Sequence, residues 1–117
     1  MKITRHAQSI THTNPVAGSV AREYAMCDSE IDCALVKVSG QYHGADKFTT
    51  NTKVKELLFV VQGQGAIEMK NGERQSFAQY DAILLEAGEV YRFVETDALF
   101  CIVCTPPWSL AQTETVD

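Results

Sequence analysis

No stretch of this chain runs long enough between turn signals to form an extended helix, and that punctuation limits its fold most. Asn71-Gly72 stands between two short segments and is a pair well suited to a tight hairpin turn, which needs left-handed backbone. Before it, Ile67 and Met69 alternate with Glu68 and Lys70; after it, residues 73–77 return as the partner strand. Further β-rich runs occupy 20–26, 31–38, 48–52, 56–61, 82–86, 91–94 and 99–105. Between them lie turn signals at Asp28-Ser29-Glu30, Ser39-Gly40, Gly63 with Gly65, Ala87-Gly88-Glu89 and Glu95-Thr96-Asp97. Pro106-Pro107 ends the last run, since proline has no N–H for a ladder. This spacing predicts an all-β sandwich or barrel, and periodicity alone does not choose between them.

A chain of 117 residues holds one such domain; split in two, each half would have too little interior to be stable. Residues 1–18 are polar and end on a turn signal at Pro15 to Gly18, so they are expected as an N-terminal arm. The folded unit is expected over 19–108, with 109–117 as a C-terminal tail. A formal net charge of −5 repels phosphate backbones and anionic headgroups, and no Lys/Arg cluster offsets it. Neither nucleic acid nor membrane is therefore an expected partner. The longest apolar run, 57–61, is far short of a membrane span, and residues 1–15 lead into no apolar signal segment. A cytoplasmic location is the simplest expectation. Cys101 and Cys104 have the spacing of a redox or zinc pair, but residues three apart on a strand face opposite ways. With Cys27 and Cys33 they are expected as reduced, buried packing residues.

From Gly44 onward the residues fall into a frame. Gly44, Thr50, Thr52, Glu56 and Gly63 reproduce the spacing G-x5-H-x-H-x3-4-E-x6-G, with threonine at both histidine positions. This resembles the first motif of the cupin superfamily. The run from Glu56 through Phe59 and Val60 to Gly63 and Gly65 is similar to that family's E-x-x-Y-V-x-x-G-x-G. The second cupin motif, G-x5-P-x-G-x2-H-x3-N, falls on Tyr80, Glu86, Gly88, Tyr91 and Glu95, of which Gly88 alone is kept. The resemblance spans about 40–108. It implies an all-β, single-domain jelly-roll (double-stranded β-helix) barrel with a short N-terminal arm.

In cupins the histidines and glutamate of the two motifs converge on one divalent metal inside the barrel. Here the resemblance puts Thr50, Thr52, Glu56 and Tyr91 at those positions. A Thr hydroxyl is a poor ligand for Fe, Mn, Ni or Zn, and a phenol titrates near 10, so no metal and no other cofactor is expected. Moving the motif by one residue gives Thr49 and Asn51 instead, which restores no metal donor. Thr50 and Thr52 share a strand face, as do Tyr91 and Phe93. With His43 at the barrel rim, these residues are the expected ligand-binding set, and Glu56 and Tyr91 are the catalytic candidates if the protein is an enzyme. His6 and His12 lie in the polar arm with little to support a metal role, and Trp108 reads as a staple for the C-terminus.

Four functions remain open at this point. One is a metal-free module binding a small polar metabolite such as a sugar or organic acid. The second is a cofactor-independent isomerase, epimerase, lyase or cyclase that moves protons through Glu56 and Tyr91. The third is a divalent-metal enzyme with atypical ligands. The fourth is a purely structural or interaction role, with the barrel interior closed by side chains. Both faces of 56–61 and of 99–104 are apolar, so each sheet face is expected to be covered, one by core and the other by a partner or the N-terminal arm. Small cupins are commonly dimers, and the resemblance implies a homodimer.

Overall fold

Two strands much longer than any run read from the sequence organise the barrel. In a computed structural model describing residues 1–14, 18–42 and 47–117, β5 runs Lys55–Met69 and β8 runs Val90–Thr105. They pair antiparallel from Lys55↔Thr105 to Met69↔Tyr91. Gly63 and Gly65, read as a stop, lie inside β5. At Gly63 (φ +91°) an added Cβ would sit 2.0 Å from the Asp97 carbonyl oxygen, and at Gly65 it would sit 2.3 Å from Thr96 Oγ1. The glycines therefore let β5 press against β8, and the pairing slips at bulges between Val60 and Gln62 and between Gln64 and Ala66. Glu95-Thr96-Asp97, read as a turn, likewise continues β8: Thr96 is buried and its hydroxyl donates to the Val94 carbonyl.

The other strands wrap around this pair. β1 (Ile10–Asn14), β2 (Ser19–Tyr24) and β3 (Asp32–Tyr42) form a meander whose last strand pairs with β8. β6 (Arg74–Ala78) and β7 (Ala82–Leu85) pair with successive halves of β5. The hairpin around Asn71-Gly72 forms with a connection of residues 70–73, Gly72 in left-handed backbone at φ +97°. β4 (Phe48–Asn51) pairs with the start of β8 and with β9 (Thr113–Val116). The result is an all-β jelly-roll barrel of curled antiparallel sheet.

The segments read as an N-terminal arm and a C-terminal tail each carry a strand. The N-terminal arm supplies β1, with five register pairs to β2. The C-terminal tail supplies β9, where the β-branched Thr113, Thr115 and Val116 suit a strand facing β4. Inside, Phe77, Phe93 and Phe100 meet with ring centroids 5.1 to 6.0 Å apart, and Val38, Leu58, Val60 and Ile102 pack around them. Of the cysteines, Cys104 is in this core and Cys101 is half-buried on the opposite face, whereas Cys27, expected as buried, is exposed at a left-handed turn position. No helix among the described residues is long and apolar enough to cross a membrane.

Candidate functional site

The inward faces of β3, β4, β5 and β8 enclose a cavity of about 380 Å³. That is within the usual range for a small-molecule site. Most of its wall is apolar, including Val36, Val38, Leu58, Phe93, Phe100 and Ile102. Trp108 and Leu110 enter from the C-terminal segment, and His12 and Glu23 from the β1–β2 hairpin. His12 Nε2 lies 3.3 Å from Glu23 Oε2, and its side chain is 58% exposed, which puts this pair at the mouth.

The polar end of the cavity is built by strand register. Asp32 on β3 pairs with Cys104 on β8, which pairs with Glu56 on β5. Directly opposed residues of antiparallel strands share a face, so two carboxylates flank a thiol in one inward row. Glu56 is only 7% exposed. Asn51 Nδ2 donates a hydrogen bond to Glu56 Oε1. The Asn51 amide oxygen in turn accepts from Gln112 Nε2 at 3.1 Å and from the Thr113 hydroxyl at 3.0 Å. Trp108 Nε1 donates to Thr113 Oγ1 at 2.8 Å. The segment leading into β9 thus fixes the amide that orients Glu56.

Burial pushes the Glu56 carboxyl up to about 7, and the charge of Asp32 adds to the effect. Burial also raises Asp32, with Glu23 adding to it; a hydrogen bond from the Trp108 backbone and one involving Cys104 oppose the rise. The Cys104 thiol is pushed upward by burial and by the carboxylates of Glu56 and Asp32. It is therefore held as a neutral thiol and is a poor nucleophile. Near neutral pH, Glu56 is poised to hold or release a proton beside a second carboxyl group.

Of the residues singled out in the sequence, Glu56, Tyr91 and Phe93 lie on the cavity wall. Thr50 and Thr52 do not. Thr49 pairs with Tyr91 and so shares its inward face, and Asn51, two residues on, shares it as well. The register is thus the one-residue alternative, Thr49 and Asn51. Thr50 Oγ1 is buried on the other side with no hydrogen-bond partner among the described residues. Thr52 is exposed, and its hydroxyl donates to the Gln112 carbonyl at 2.9 Å. His43 lies outside the described residues. Asp32, Cys104, Trp108 and the His12–Glu23 pair join the site without having been singled out for it. Asp32 had a readable signal, since it shares strand parity with Ala34, Val36 and Val38.

No family model and no curated protein sequence matches the chain. Solved structures do match in shape. A Streptomyces PAC13 structure with uridine superposes with a TM-score of 0.83 at 16% identity, over 98% of this chain and 90% of that one. Ectoine synthase from P. lautus gives 0.76 at 12% identity over 100% and 91%. KdgF from a Halomonas species gives 0.69 at 18% identity over 90% and 94%. The chain has the cupin fold. At or one residue from the cupin motif positions, the side chains on the cavity wall are Thr49, Asn51, Glu56 and Tyr91. An amide, a hydroxyl, a phenol and one carboxylate already bonded to the amide do not fit a divalent transition metal. Among the described residues no group of three His, Cys, Asp or Glu side chains is arranged to hold a metal ion.

Proposed function

We propose that this cupin binds a small polar metabolite in the barrel cavity without a metal. The observation that carries this reading is the buried Glu56–Asn51 pair at one end of a cavity whose wall is mostly apolar. Such a site orients a ligand through a few fixed polar groups and holds its body by apolar contact. Of the two ligand classes the resemblance suggests, the sugar-like one suits the cavity better. Hydroxyls can donate to Glu56 and Asp32, whereas a carboxylate would meet both. The Streptomyces neighbour's uridine is a precedent for a hydroxylated ligand in this fold. A thermal-shift screen of neutral hydroxylated metabolites tests the reading. Stabilising compounds should emerge and should lose their effect in Ala34→Phe, which fills the cavity from β3. A binder unaffected by that change would place its site elsewhere.

A second reading, proton-transfer catalysis by Glu56 and Tyr91, is favoured by the rise of the Glu56 carboxyl to about 7. Pac13 is described as a nucleoside dehydratase, so elimination chemistry has a precedent in the fold. In such a step here, the Glu56 carboxylate would take a proton from carbon while the Tyr91 phenol would give its proton to the departing hydroxyl, which leaves as water; Glu56 then returns a proton to Tyr91. Glu56→Gln would then abolish turnover while ligand binding persists.

The homodimer belongs to the same proposal. Leu57 and Phe59 are 46% and 42% exposed on the outer face of β5, beside exposed Leu84 and half-buried Cys101 and Val103. The N-terminal strand pairs with β2 at the far side of β3, and this outer face of β5 remains exposed. A second copy seated there would bury it. Light scattering should report a dimer that Phe59→Asp converts to monomer.

A further inference from the structure

We propose that the cavity selects a ligand carrying a cationic amine on an apolar body, an inference that rests on reading the cavity as a binding site. The charge balance of the wall carries it. Three carboxyl groups line the cavity, Glu56 and Asp32 in the inward row and Glu23 at the mouth. No lysine or arginine lines it among the described residues, and the undescribed stretches 15–17 and 43–46 contain neither residue. Three basic side chains on the cavity strands themselves are engaged elsewhere: Lys55 with Glu86 at 3.3 Å, Lys37 with Asp97 at 2.6 Å, and Arg92 with Glu68 at 2.7 Å. The imidazole at the mouth, His12, is paired with Glu23.

A buried carboxylate without a counter-charge is costly, and neighbouring hydrogen bonds offset only part of that cost. Asn51 serves Glu56, and the Trp108 backbone serves Asp32; neither carries a positive charge. An ammonium group between Glu56 and Asp32 would supply one. An anionic ligand would add a further like charge in a partly desolvated space, where electrostatic terms are strongest. The rest of the wall suits the body of such a molecule. Tyr91, Phe93, Phe100 and Trp108 offer aromatic faces that accept both apolar groups and cations.

Matched probe triplets test this: phenethylamine, 2-phenylethanol and phenylacetate, with the corresponding cyclohexyl and indolyl sets. Each is titrated by calorimetry into the wild-type protein at pH 8, where Glu56 is mostly ionised. The amine should bind roughly tenfold more tightly than the alcohol and on the order of a hundredfold more tightly than the carboxylate. In the Asp32→Asn, Glu56→Gln double variant the amine and alcohol should become equal. Because the wild-type ranking stands alone, a misfolded variant does not remove the test. A carboxylate that binds as tightly as its amine overturns the inference while leaving the binding reading intact. An amine preference that survives the double variant overturns the assignment to these two carboxylates. If no probe of any triplet binds, this inference falls, while the binding reading is decided separately by the thermal-shift screen of hydroxylated metabolites.

Discussion

Glu56→Gln isolates the cost of keeping a carboxyl group inside the barrel. The substitution preserves the shape and keeps an oxygen that can accept from Asn51 Nδ2. What it removes is ionisation. In the folded protein Glu56 titrates at about 7, against an ordinary value of 4.5. A raised carboxyl means that the folded state binds its proton more tightly than the unfolded state does. Between these two pH values the unfolded chain has lost the proton and the folded one retains it, so wild-type stability falls as pH rises. At about 1.4 kcal/mol per pH unit, the window of roughly 2.5 units corresponds to about 3 kcal/mol. The variant lacks this penalty. Its advantage over wild type should therefore be near its minimum at pH 4.5 and grow by about 3 kcal/mol by pH 8. Urea denaturation of both proteins across this range reads the difference directly, because other titrations cancel to first order. A stability difference that stays flat from pH 5 to 8 would refute the perturbed carboxyl.

Three further substitutions probe the geometry. Asn51→Ala removes the donor to Glu56 and the acceptor for Gln112 and Thr113, and should cost about 2 kcal/mol in chemical denaturation. Thr50→Val replaces a buried hydroxyl without a hydrogen-bond partner, so stability should hold or rise by up to about 1 kcal/mol, with ligand affinity unchanged. A loss of affinity there would mean that Thr50, and not Thr49, faces the cavity. Gly63→Ala forces a Cβ to within 2.0 Å of the Asp97 carbonyl at a left-handed backbone position and should cost about 3 kcal/mol or more. A melting temperature within about 3 °C of wild type would contradict that close approach.

The sequence was most legible where burial alternates. Along β5, residues 55–60 run exposed and buried in turn, so Glu56 falls with Leu58 and Val60 by parity alone. β8 gives Tyr91 and Phe93 in the same way. In β4 that signal vanishes, because Phe48, Thr49, Thr50 and Asn51 are all buried. Register there is set by pairing with Tyr91, a contact between distant parts of the chain, and a one-residue slip exchanges the two faces. Trp108 and Thr113 were hidden for a related reason. Their roles depend on the C-terminus docking back on β4, and Pro106-Pro107 reads locally as an ending. The fused strands β5 and β8 were missed because glycine and a polar triplet normally mark turns, whereas here they accommodate a close approach.

That close approach has a consequence for how such barrels can be rewritten. Gly63 and Gly65 satisfy a demand of shape, the close pairing of two long strands, and lie against Asp97 and Thr96 on β8. The residues that set the chemistry of the interior, Thr49, Asn51, Glu56 and Tyr91, lie on other positions of the same strands and their neighbours. A frame whose glycines specify the scaffold leaves its lining open to exchange. The chain is therefore a natural starting point for engineering, in which donors can be changed one at a time while the glycines that let β5 press against β8 are left alone.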